Sequence, residues 1–150
     1  MDPQQLVGRE LKAVWITARE VHPAWRDSTT PALASGFANL DLADMQTVKV
    51  QPCEVEHIPG KYPSLGIKLL SVSEPPMVHR WPDGGEVTAD ACPDTEQFLP
   101  SRVASVRVWD ALGEGPDSAI TLTLENGRSI IIRHIYPPMT LGIEFGGNEV

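Results

Sequence analysis

The chain has 150 residues, 41% of them hydrophobic, with 14 prolines, 12 glycines and a formal charge of −8. A chain of this length makes one ordinary domain, or two small halves on one core, and buries roughly 68–70% of its unfolded surface without a metal or disulfide staple. The acid excess disfavours direct binding to nucleic acid or an anionic membrane, because both require Lys and Arg to replace counterions.

Proline and glycine at this frequency point to many turns and few long helices, so the expected class is mainly β, with at most short helices. Met1-Asp2-Pro3-Gln4-Gln5 has no basic region leading into an apolar run, and no apolar stretch reaches the span of a membrane helix. A soluble, cytoplasmic protein is therefore expected. Cys53 and Cys92 are the only cysteines, which suits reduced thiols, with one bridge left open.

In chain order, Leu6 to Thr17 ends in a β-branched and aromatic run, and a strand is expected from Glu10 to Ala18. His22-Pro23-Ala24-Trp25-Arg26-Asp27 reads as a loop. Thr30-Pro31-Ala32-Leu33 is expected to open a short helix, with Thr30 as N-cap and Pro31 in the first turn, that Gly36 ends. Leu40 to Val50 alternates on two arms and reads as a hairpin.

Cys53-Glu54-Val55-Glu56-His57 gathers metal-ligand types, but an extended chain holds Cys53 and His57 roughly 13 Å apart, too far to share a tetrahedral zinc. Solvated charges beside a half-buried thiol are the preferred reading, with no metal and no cofactor. Tyr62-Pro63-Ser64-Leu65-Gly66-Ile67 then leads into a further strand.

Residues 73–97 are rich in turn formers and acids, and a connection of this length is the place to look for function. Pro93 to Leu99 is expected to make one or two helical turns before Pro100 stops them. Residues 83 to 117 hold eight acids against Arg102 and Arg107, which is most of the net charge.

Phe98 to Trp109 repeats the first strand, with Val103, Val106 and Val108 in the places of Leu11, Val14 and Ile16. The Ile120 to Leu124 and Arg128 to Ile132 arms flank Glu125-Asn126-Gly127, the strongest hairpin signal in the chain. A three-residue loop with Gly127 left-handed would pair Leu122 with Ile130 and Ile120 with Ile132, collecting the large apolar groups on one face. A two-residue loop would scatter them, so burial favours the first. His134 continues the inward face, where a hydrogen-bonded core or rim histidine is favoured over a catalytic base. Tyr136-Pro137-Pro138-Met139-Thr140-Leu141-Gly142-Ile143 echoes the earlier Tyr-Pro and Leu-Gly-Ile.

The segments recur in order, so the expected architecture is one domain, residues 1–150, built of two diverged strand–hairpin–strand copies. These are residues 6–72 and 98–146, joined by an acidic loop, 73–97, and packed as a β-sandwich or partly open barrel. No nucleophile elbow, phosphate loop or dinucleotide fingerprint is present, and no catalytic residue is assigned.

The Leu-Val-Gly-Arg opening, the Asn-Gly hairpin and the final Leu-Gly-Ile strand give a pattern that resembles small acidic bacterial β-rich immunity proteins, which neutralise toxins of polymorphic or contact-dependent systems. The resemblance implies an inhibitor that occludes a basic toxin protein without turnover. Charge agrees, since an acidic surface steers association with a basic partner. The expected contact residues are Trp81, Asp83, Glu86, Asp90, Asp94 and Glu96, with Trp81 as anchor. Two rivals remain. One is a small enzyme or ligand-binding barrel with His134, His79 or Glu144 lining a cavity between the copies; the other is a structural or adaptor subunit.

Overall fold

A computed structural model describes residues 1–17, 33–56, 63–81 and 83–147. The expectations for Trp25, the Thr30 cap, His57 and Tyr62 lie outside those residues. Every long element described is a strand, and helical structure among the described residues is confined to 3-10 turns at Pro3–Leu6 and Pro93–Thr95.

The first half contributes β1 (Glu10–Ile16), β2 (Leu33–Ser35), β3 (Ala38–Leu42), β4 (Thr47–Val55) and β5 (Ser64–Val72). The connection holds β6 (Val78–Arg80), β7 (Glu86–Thr88) and β8 (Asp90–Ala91). The second half contributes β9 (Ser101–Trp109), β10 (Ala119–Leu124), β11 (Arg128–Ile135) and β12 (Thr140–Gly147). The large antiparallel sheet runs β2-β12-β11-β10-β9-β1-β3-β4-β5, and β6 with β7 forms a separate two-stranded sheet.

Two four-stranded meanders thus run outwards from a β1/β9 seam. The seam is short, Glu10 opposite Arg102 and Leu11 opposite Ser101, after which β1 takes β8 as its neighbour through Trp15/Ala91 and Ile16/Asp90. The sheet folds over so that β5 approaches β11 and β4 approaches β12, without closing into a barrel. A continuous core fills the space between the leaves, with Leu11, Val14, Leu40 and Val48 on one side and Ile120, Leu122, Ile130 and Ile143 on the other.

The register of the second hairpin is the one burial requires. Ile120 faces Ile132, Leu122 faces Ile130, and Gly127 has φ of 88° in the left-handed region where a Cβ is penalised. Thr121, Thr123 and Ile131 are only half-buried on the opposite face, as the period of two demands.

Strand pairings also test the internal echo residue by residue. Val14 pairs Leu40, which pairs Val48; Val106 pairs Leu122, which pairs Ile130, so the first three strands of each meander correspond in register. The fourth strands do not align on Leu-Gly-Ile. Ile143 pairs Ile132, whose counterpart Val50 pairs Leu69, so Ile67 stands two residues from the place its motif suggested. A two-residue offset keeps the same face inward, which is why the pattern looked aligned in sequence.

Three local expectations are corrected. Leu33 belongs to a strand on the edge of the sheet rather than to a helix, because its backbone pairs with Ile143. The strand at Phe98 begins only at Ser101, since Phe98 caps the preceding turn through its N–H to the Thr95 carbonyl. Residues 73–97 are not an open loop: they contain β6, β7, β8 and a 3-10 turn.

Candidate functional site

The connection owes its order to a row of polar side chains on the outer face of the first meander. Inward residues of β3 and β4, Ala38, Leu40, Val48 and Val50, enter the core, so Phe37, Asn39, Thr47 and Lys49 face out. Outward polar residues on an antiparallel sheet normally meet water. Here Asn39, Thr47 and Lys49 are 0%, 1% and 4% exposed, because residues 74–81 lie across them.

Each makes its bond to the backbone of the covering segment. Thr47 Oγ1 donates to the Glu74 carbonyl at 2.7 Å, Asn39 Nδ2 to the Pro76 carbonyl at 2.8 Å, and Lys49 Nζ to the Val78 carbonyl at 3.1 Å. Lys49 Nζ also lies 3.6 Å from the Glu74 carboxylate, which offsets the cost of burying a cation. The hairpin closes its own ends, with the Trp81 N–H donating to the Gly85 carbonyl and the Ala89 N–H to the Met77 carbonyl.

Aromatic stacking seats the tip. The His79 imidazole lies parallel to the Phe37 ring, centroids 3.9 Å apart, and Trp81 meets both edge-on, 4.4 Å from His79 and 6.1 Å from Phe37. Such geometry suits ring quadrupoles. His79 is 1% exposed and its Nδ1 has no hydrogen-bond partner among the described residues. Removal from water, reinforced by the Lys49 charge and opposed by Glu74, pushes its pKa down to about 4, so the ring is neutral near neutral pH.

Beside this stack opens a cavity of about 150 Å³. Its walls are Gln51 and Pro52 of β4, Lys68 of β5, His79 and Trp81 of the hairpin, and Met139 from the turn between β11 and β12, with Gly36 also contributing. Gln51 and Lys68 are direct cross-strand neighbours. Lys68 is exposed and, among the described residues, forms no ion pair.

The other end of this region is pinned by His134. Its Nδ1 lies 2.8 Å from the Gly66 carbonyl and its Nε2 accepts the Met139 N–H at 2.8 Å. A carbonyl can only accept and an amide N–H only donate, so the ring is the neutral Nδ1–H tautomer. Burial, opposed by the Gly66 bond and the Glu114 and Glu54 charges, lowers its pKa. With both nitrogens occupied, His134 is a strut between β11, β5 and the turn, and it has no nitrogen to spare as a base. The Tyr136 hydroxyl donates to Glu114 at 3.3 Å, across the end of the sheet.

The expected contact residues are all exposed and fall into two groups. Trp81, Asp83 and Glu86 share the β6–β7 tip, where Asp83 accepts the Gly85 N–H at 2.9 Å and Glu86 pairs with Arg80 at 2.7 Å. Asp90 stands on β8, and Asp94 and Glu96 sit in and beside the 3-10 turn that follows. Trp81 is 39% exposed, with the rest of its ring against Phe37 and His79.

Sequence reasoning missed Phe37, Asn39, Lys49, Gln51 and Lys68, because alternation assigns most of them to a solvated face. The available signal was in the connection, where Met77, His79 and Trp81 recur at a spacing of two, as in a strand that needs a surface to lie on. Cys53 is half-buried and Cys92 lies in the core, both as free thiols. Among the described residues no three His, Cys, Asp or Glu side chains converge as a metal site, and no helix is long and apolar enough to cross a membrane. Comparison with protein-family models, with curated proteins and with solved structures returns no match for this chain.

Proposed function

We propose that this protein is a non-catalytic binding module of the immunity type, which engages a basic protein, such as a toxin domain, in the cytoplasm and blocks it by occlusion. The observation that carries the reading is the seating of Trp81: a half-exposed indole on a short hairpin whose base is bonded to β3 and β4, set edge-on against the His79 ring that stacks on Phe37. A large aromatic fixed before binding loses little conformational freedom on association, which is the economy of an interface anchor. Asp83 and Glu86 are exposed at the same tip, Asp90, Asp94 and Glu96 are exposed further along the connection, and acids in excess raise the encounter rate with a cationic partner.

The test has two arms, both on a partner first isolated from the native host by affinity capture. Reversing Asp90, Asp94 and Glu96 to Lys should slow association in low salt, and the difference should shrink as ionic strength rises. Trp81→Ala should speed dissociation by about tenfold or more, as expected for an anchor worth about 1.4 kcal/mol or more. An unchanged association rate at low salt removes the steering role, and unchanged dissociation removes the anchor.

A further inference from the structure

The cavity beside Trp81 has the composition of a ligand site rather than of a packing defect. Defects in a core are apolar on every side, whereas this one combines an apolar wall, Pro52, Trp81 and Met139, with Gln51, Lys68 and His79. A cation without an ion pair among the described residues and an amide therefore border one space, beside the buried His79 ring.

The geometry points to a binding site for a small organic monoanion, an apolar ring or branched chain of about benzene size carrying one carboxylate. Size sets the apolar part, since a cavity of about 150 Å³ is the volume that holds a benzene ring. Charge sets the other end: the Lys68 ammonium stands at the exposed rim with Gln51 opposite it on β4, and the two can share a carboxylate as donors. The ring would lie against Trp81 and the Met139 thioether, both favourable contacts for a π system. A second carboxylate has no cation to meet among the described wall residues, which restricts the class to monoanions. Trp81 borders both this site and the protein-binding surface proposed above, but the two readings have separate tests, and either can fail without the other.

Benzoate and its neutral isostere benzamide are suitable probes, titrated into the intact protein while the Trp81 indole N–H and Met139 methyl resonances are followed by NMR. Benzoate should shift both resonances saturably, with a dissociation constant of about 1 mM, in the range that ligand efficiency allows for so few atoms. Benzamide should bind about tenfold more weakly, Lys68→Met should reduce benzoate to the benzamide level, and Lys68→Arg should retain binding. Lys68 is exposed, so neither change threatens folding. Equal affinities for benzoate and benzamide, an unaffected Lys68→Met variant, or shifts that never saturate would each overturn the assignment.

Discussion

Acidification should unseat the connection through one histidine, and the size of the effect follows from its burial. The His79 pKa is about 4 against an ordinary 6.5, so between those values the unfolded chain holds a proton that the folded one refuses. A lowered histidine pKa therefore contributes stability that is full above about pH 6.5 and is lost as pH falls towards 4. Linkage over this interval gives a loss of about 2.4 kcal/mol between about pH 7 and pH 4.5. The charges that face the ring are Lys49, which works in the same direction, and Glu74, which opposes it. His134 and the carboxylates titrate too, so the informative quantity is the difference between the wild type and His79→Phe. Phenylalanine keeps a ring on Phe37, 3.9 Å away in the native stack, and removes both the proton and the unpartnered Nδ1. Urea unfolding followed by tryptophan fluorescence at both pH values should give a pH-dependent loss about 2 kcal/mol smaller in the variant. Losses that agree within about 0.5 kcal/mol would refute the claim that His79 is neutral because it is buried.

Two further outcomes follow from geometry. Gly127→Ala places a Cβ at φ of 88° and should lower stability by about 1 kcal/mol in urea unfolding, with Gly127→Asn milder; an unchanged midpoint would mean that the hairpin loop has another conformation. Asn39→Asp sets an acceptor-only carboxylate against the Pro76 and Val78 carbonyls, 2.8 and 3.4 Å from the native amide nitrogen, so the hairpin should lift. Amide exchange at Ala89 and Trp81 should then accelerate by about tenfold or more while Val103, bonded to Arg9 at the seam, keeps its protection. Uniform acceleration at all three would instead indicate global destabilisation.

The β class and the second hairpin were legible because both depend on local rules. Alternation in Ile120 to Leu124 and Arg128 to Ile132, together with Asn126-Gly127, decides which face is buried without reference to the rest of the chain. The echo of Leu65-Gly66-Ile67 in Leu141-Gly142-Ile143 was legible as a pattern but not as a register, since a shift of two residues preserves the face and leaves the sequence unable to report it. Asn39 and Lys49 were misread for a different reason. Their alternation is that of a solvated face, and their burial comes from residues 74–81, a contact set by tertiary packing rather than by neighbours in sequence. The cavity draws on five separate segments, and none of its walls carries a motif. Leu33 illustrates the same limit, because Pro31 and a small-residue run favour a helix start, yet an edge position beside Ile143 decides the outcome.

The segment over β3 and β4 is held largely by what it shares with any polypeptide. Thr47, Asn39 and Lys49 all grasp carbonyl oxygens, those of Glu74, Pro76 and Val78, and the side chains that add to the hold are Glu74, on Lys49, and His79 and Trp81, against Phe37. Substitutions at Asp83, Glu86 or the rest of the tip can therefore alter what the surface presents while leaving its docking intact. The sheet supplies a fixed socket and the exposed turn is free to vary, a division of labour that would let the presented surface be changed through a handful of residues.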